Sequence, residues 1–93
     1  MLIQEILTKT GESTQSIVRE HLMLQGFAKQ SRYQAECALF EKKYGCTLDQ
    51  FKQQLSVKEQ ENFVAEDDLL DWEYASAALE WWNDCLKSLR HVA

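Results

Sequence analysis

Apolar residues in the last third of the chain recur at helical spacing. Trp72, Ala75, Leu79, Trp82, Leu86 and Leu89 follow one another at steps of 3, 4, 3, 4 and 3, an unbroken seam of the kind one helix offers another. Glu66, Asp67 and Asp68 begin this stretch and Lys87, Arg90 and His91 end it, charges that suit a helix dipole at both ends. The pattern predicts a helix over Glu66–His91. Upstream, Tyr33, Cys37, Phe40 and Tyr44 recur at steps of 4, 3 and 4. From Thr14 to Tyr44 only Gly26 interrupts the helical pattern, and one interior glycine costs about 1 kcal/mol relative to alanine. The expectation is one helix about 46 Å long, or two helices meeting at a kink near Gly26. The first half carries Ile17, Val18, Leu22, Leu24 and Phe27, a broader stripe that does not continue the seam of the second half.

The shorter elements follow from local signals. Leu2, Ile3, Ile6 and Leu7 make one stripe of a short amphipathic helix, ended by Thr10-Gly11. Ser13 or Thr14 can cap the long helix, and Gly45 is placed to stop it in a left-handed conformation. Thr47 followed by Gln50 is a capping box, and the helix after it turns Leu48, Phe51 and Leu55 to one side. Ser56 and Glu59 form a second such box. Asn62-Phe63-Val64 is the expected linker, with Phe63 and Val64 held against the core.

These elements predict an all-α fold, one domain over residues 1–93, built on an antiparallel hairpin of two long helices with two short ones. In it Tyr33–Tyr44 faces Trp72–Leu89. The hairpin leaves apolar surface over. Trp81 and Trp82 point about 100° apart on a helix, so one of them faces away from the first partner, beside Leu70, Ala77, Ala78 and Cys85. Monomers rarely leave such a patch open. The first helix, a second subunit or a different protein would cover it, and a homodimer with a four-helix-like core is the favoured expectation.

Composition narrows the function classes. Proline is absent and there are three glycines, which favours long helices over a β-sandwich. No apolar run approaches the roughly 20 residues of a membrane span, and Met1–Gly11 does not resemble a secretory signal. A cytoplasmic protein away from membranes is expected. Cys37, Cys46 and Cys85 are widely spaced and odd in number, the pattern of free thiols rather than disulfides or a zinc site. The net charge of −5 is uneven: residues 1–58 hold eight Lys or Arg against six Asp or Glu, and residues 59–93 hold two against nine. Such an acidic half is a poor surface for phosphates and a fitting one for a basic partner.

Catalytic chemistry has no recognisable constellation. His21 and His91 are the only histidines, no glutamate stands three residues before either, and no glycine-rich phosphate loop is present. Glu66, Asp67, Asp68 and Asp71 lack the spacing and central glycine of a calcium loop. No enzyme activity, cofactor or metal is expected. Tyr33–Tyr44, the Gly45 turn and Leu48–Leu55 imitate a helix-turn-helix with Gln50, Lys52, Gln53 and Gln54 outward, yet few basic residues surround it. Protein binding is the favoured class, with a partner meeting either the acidic helix face, where Asp71, Glu80 and Asp84 are the candidates, or the spare apolar stripe that holds Trp81. A structural homo-oligomer comes second and a DNA-binding regulator third.

Two segments carry a family resemblance. Phe40-Glu41-Lys42-Lys43-Tyr44-Gly45, with Leu48, Phe51 and Leu55 after it, occurs together with Glu66-Asp67-Asp68-Leu69-Leu70-Asp71-Trp72-Glu73. The pair resembles small, largely uncharacterised prokaryotic helical proteins encoded beside RelE-like or similar toxins and taken to be antitoxin-like. The resemblance covers roughly Tyr33–Leu89. It implies stoichiometric neutralisation, in which an acidic helical protein covers the basic RNA-binding face of a small ribonuclease-type toxin.

Overall fold

A computed structural model of the chain describes residues 2–11, 13–58 and 60–91, with the side chain of Leu7 left aside. Four helices account for them: α1 (Ile3–Thr10), α2 (Thr14–Tyr44), α3 (Leu48–Ser56) and α4 (Phe63–His91). No strand occurs among the described residues. The two long helices pack along each other, and α3 folds back onto α4.

The helix ends are set by side chains close in sequence. The Ser13 hydroxyl accepts from the Ser16 N–H at 3.1 Å and starts α2. Gly45, at φ +65°, stops it and donates its N–H to the Glu41 carbonyl at 2.7 Å. The Thr47 capping box forms in full: Gln50 N–H donates to Thr47 Oγ1 at 3.2 Å, and Thr47 N–H donates to Gln50 Oε1 at 2.9 Å. These are the orphan groups a helix start must satisfy.

The start of α4 corrects the sequence expectation. Asn62 Oδ1 accepts from the Ala65 N–H at 3.1 Å, so Asn62 is a cap and the helix begins at Phe63, three residues before Glu66. The expected linker is thus the first turn. Phe63 and Val64 do not hold it to the core, being 70% and 65% exposed; Ala65 is the buried residue of that turn. The second capping box involves Glu59, outside the described residues. Its other member, Ser56, turns its hydroxyl back to donate to the Gln53 carbonyl.

Helix α2 is continuous through Gly26. The glycine is buried and lies against α4, where an added Cβ would stand 2.8 Å from Leu86 Cδ2 and 3.4 Å from Trp82 Cε3. The two helices approach closely here, and a side chain would hold them apart. This revises the expected pairing. Tyr33–Tyr44 faces only the first half of α4, and the second half packs on the stretch from Arg19 to Gln30.

The register is written in cross-links. Tyr44 and Lys43 reach Asp68, Tyr33 meets Tyr74 edge-on with ring centres 5.9 Å apart, and Gln30 Nε2 donates to Asn83 Oδ1 at 2.7 Å. Arg19 Nε donates to the Leu89 carbonyl at 2.8 Å, satisfying an acceptor that a helix C-terminus leaves free. Rising numbers on α2 meet falling numbers on α4, so the hairpin is antiparallel.

The core is concentrated at the closed end. Phe51, Ala65 and Trp72 are buried, with Cys37, Phe40, Tyr44, Cys46, Leu48, Leu55 and Leu69 packed against them. Phe40 and Tyr44 stack on Trp72 with ring centres 5.7 and 6.3 Å away, and Phe51 lies 5.5 Å from it. Aromatic pairs in this range add about 0.5–1.5 kcal/mol beyond their burial. Along the seam, Trp72, Ala75 and Leu86 are buried, while Leu79, Trp82 and Leu89 are half-buried. On α2, Tyr33 is buried and Cys37, Phe40 and Tyr44 are half-buried.

Helix α1 stays apart. Leu2, Ile3 and Ile6 are 69%, 76% and 46% exposed, and α1 makes no packing comparable to that between the other helices. It does not cover the flank of Trp81.

Candidate interaction surface

One side of the hairpin is left open along its length. Helix α3 occupies the other side at the closed end, where Lys52 Nζ reaches Glu73 Oε1 at 3.5 Å. On the open side, Arg32, Glu36, Leu39, Phe40 and Lys43 of α2 and Asp71 and Tyr74 of α4 line a shallow groove of about 530 Å³.

Helix α4 contributes a second apolar seam to this side. Leu70, Tyr74, Ala77 and Trp81 recur at steps of 4, 3 and 4, the same period as the buried seam but turned around the helix. All four are exposed; Leu70, Tyr74 and Trp81 are 65%, 65% and 59% so. Trp81 packs edge-on against Trp82, ring centres 4.8 Å apart, and still shows most of its surface.

Helix α2 contributes a stripe of mixed character. Val18, Leu22, Gln25, Lys29, Arg32, Glu36, Leu39 and Lys43 follow at alternating steps of 4 and 3. Its centre is charged, with Val18 and Leu22 before it and Leu39 after it, and Lys43 closes the stripe. Leu39 is 66% exposed, Val18 50% and Leu22 37%. The groove therefore has a wall rich in Lys and Arg on α2, and an apolar wall edged by Asp67 and Asp71 on α4.

Internal contacts engage part of the acidity of α4. Lys43 Nζ donates to Asp68 Oδ2 at 2.6 Å, and Tyr44 donates its hydroxyl to the same oxygen. These bonds, Lys43 first and Tyr44 second, hold the Asp68 carboxyl below its ordinary range against the opposing effect of burial. Burial, then the bond to Asp68, pushes the Tyr44 phenol up. Glu73 has Lys52. Among the described residues, Asp71, Glu80 and Asp84 make no salt bridge and are exposed.

The partner-facing residues expected from the sequence do not form one cluster. Glu80 and Asp84, one turn apart, look outward from the back of α4. Asp71 lies about half a turn away from Glu80 around the helix and faces the groove. Trp81 belongs to the exposed seam, on the groove side of Asp84. Sequence reasoning placed Leu70 and Ala77 beside Trp81 in the spare apolar patch but missed Leu39 and Tyr74, although the 4-3-4 spacing of the α4 seam was available to find Tyr74.

The cysteines are unpaired. Burial, with Glu41 and Glu36 after it, raises the pKa of the Cys37 thiol, which keeps it protonated at neutral pH. Among the described residues no group of three or more His, Cys, Asp or Glu is arranged to hold a metal, and no helix is long and apolar enough to cross a membrane.

No family model matches the chain, and neither a curated protein nor a solved structure shows significant similarity to it.

Proposed function

We propose that this chain is a non-enzymatic protein-binding module, antitoxin-like in character, that works as a homodimer and presents acidic helix backs to a small basic partner. The observation that carries the reading is the division of labour around α4. Its buried seam holds the hairpin, its exposed apolar seam is available for a second copy, and Glu80 and Asp84 remain outward and unpaired. An acidic back of this kind speeds encounter with a basic protein and selects it by charge. The resemblance of the FEKKYG and DDLLDWE segments to antitoxin-like proteins supports a ribonuclease-type toxin as that partner.

The test is a pull-down from the native host with tagged wild-type chain and with Glu80→Lys/Asp84→Lys. A small basic protein retained by the wild type and lost by the double variant is expected. Expressed alone, that protein should arrest growth, and co-expression of the chain should restore it. Failure of co-expression to rescue growth removes the antitoxin reading. A structural homo-oligomer is the second reading, favoured by the same exposed seam, and would show self-association with no basic protein retained.

A further inference from the structure

We infer that two copies pack groove to groove about a two-fold axis running along the hairpin, so that α2 of each lies on α4 of the other. This deepens the self-association in the reading above and rests on it.

Surface area points to a second copy as the occupant. A compact monomer of 10.9 kDa exposes about 5,600 Å² by the size scaling of folded proteins, whereas this chain exposes 7274 Å². Its radius of gyration is 19.7 Å, against about 12 Å for a compact domain of this length. The exposed α1 accounts for part of the excess. A standard interface removes about 800 Å² from each partner, well within the surplus of about 1,700 Å². The open side of the hairpin offers that area on a straight surface with apolar residues along both helices.

Charge then selects the arrangement. Two hairpins can meet on this side in two symmetric ways. A two-fold axis across the hairpin lays α4 on α4 and α2 on α2, bringing Asp67 and Asp71 towards the acidic helix of the other copy and Lys29 and Arg32 towards its basic one. A two-fold axis along the hairpin lays α2 on α4. It also fixes the register, since rotation about that axis leaves every residue at its own level. Residues that face each other across the groove within one chain then meet again between chains. Lys43 and Leu39 share the groove with Asp71 and Tyr74, and the Lys43–Asp68 bond and the Tyr33–Tyr74 contact set their levels, so Lys43 of one copy comes within a turn of Asp71 of the other, and Leu39 meets Leu70 and Tyr74. Opposite charges pair and apolar residues stack, where the alternative opposes like charges.

The experiment uses the full chain in sedimentation equilibrium, alone and as mixtures. Wild type should run at twice 10.9 kDa. Lys43→Glu alone and Asp71→Arg alone should each raise the dimer dissociation constant roughly tenfold or more, and an equimolar mixture should return it to near the wild-type value, because each interface then regains opposite charges. Both residues are exposed, and unchanged helical circular dichroism confirms the fold of each variant. Trp81→Ser should weaken the dimer by about 100-fold, as for a central aromatic anchor. Only monomer at tens of micromolar overturns both the self-association and this geometry. A stable dimer that Asp71→Arg strengthens, or whose two charge variants show no rescue on mixing, overturns the geometry and leaves self-association standing.

Discussion

Replacing Gly26 by alanine tests the closest approach in the hairpin. Two effects of known sign oppose each other. Alanine is favoured over glycine inside a helix by about 1 kcal/mol. The new Cβ, however, would sit 2.8 Å from Leu86 Cδ2 and 3.2 Å from its Cγ, inside the roughly 3.5–4.0 Å at which carbon atoms attract. Leu86 is 2% exposed, so its side chain has no free space to enter. Overpacking of this kind costs about 1–3 kcal/mol. The clash wins, and Gly26→Ala should destabilise the protein by about 1 kcal/mol net. Leu86→Ala removes the obstacle, at its own cost of about 2–5 kcal/mol. In that background the same Gly26→Ala change should reverse sign and stabilise by about 1 kcal/mol. The assay is urea unfolding of the four proteins at one fixed concentration, followed by circular dichroism and tryptophan fluorescence, since dimerisation makes stability concentration-dependent. A coupling of about 1–3 kcal/mol is expected. Zero coupling, with Gly26→Ala stabilising in both backgrounds, would refute the close-approach account of this glycine.

Other outcomes follow from the same contacts. Asp68 is held below its ordinary pKa in the folded chain, so its contribution is present above the unfolded carboxylate pKa and lost as pH falls through the folded value; Asp68→Asn should flatten that acid limb in pH-dependent thermal melts. Gly45→Ala, forced into the left-handed region at φ +65°, should cost about 1–2 kcal/mol in urea unfolding although nothing crowds the site. Removal of residues 1–10 should change hairpin stability by less than about 0.5 kcal/mol, because the described side chains of α1 pack on nothing comparable to the hairpin core; a large loss would show that α1 is structural.

The fold was largely legible because its determinants are local or periodic. Gly45, the Thr47–Gln50 box and the 3-4 seam of α4 each act within a few residues, and each predicted element exists. The start of α4 was misplaced because acidic residues at Glu66 looked like a first turn, while the cap that sets the boundary is the Asn62 amide. Gly26 was left open between a continuous helix and a kink for a different reason. Propensity treats it as a weak point, but its role comes from Leu86, sixty residues away. The bonds from Arg19 to the Leu89 carbonyl and from Gln30 to Asn83 are likewise invisible to periodicity, since a polar residue on a seam gives no sign of its distant partner. For the surface, exposure of Asp71, Glu80, Asp84 and Trp81 was foreseeable from spacing. Their separation onto different sides of α4 depends on where α2 and α3 sit, which only the assembled hairpin reveals.

The rings gathered around Trp72 have a consequence for how the molecule opens. Phe51, Tyr44 and Phe40 lie 21, 28 and 32 positions from Trp72, whereas Arg19 and Leu89, bridged at the other extremity, lie 70 apart. Closing the longer span costs more chain entropy, and it is fastened by a guanidinium and an amide rather than by stacked aromatics. The molecule is thus a clothes-peg with its spring at one end. Its jaws part first at Arg19 and Leu89, and amide protons there exchange with solvent well before those beside the spring.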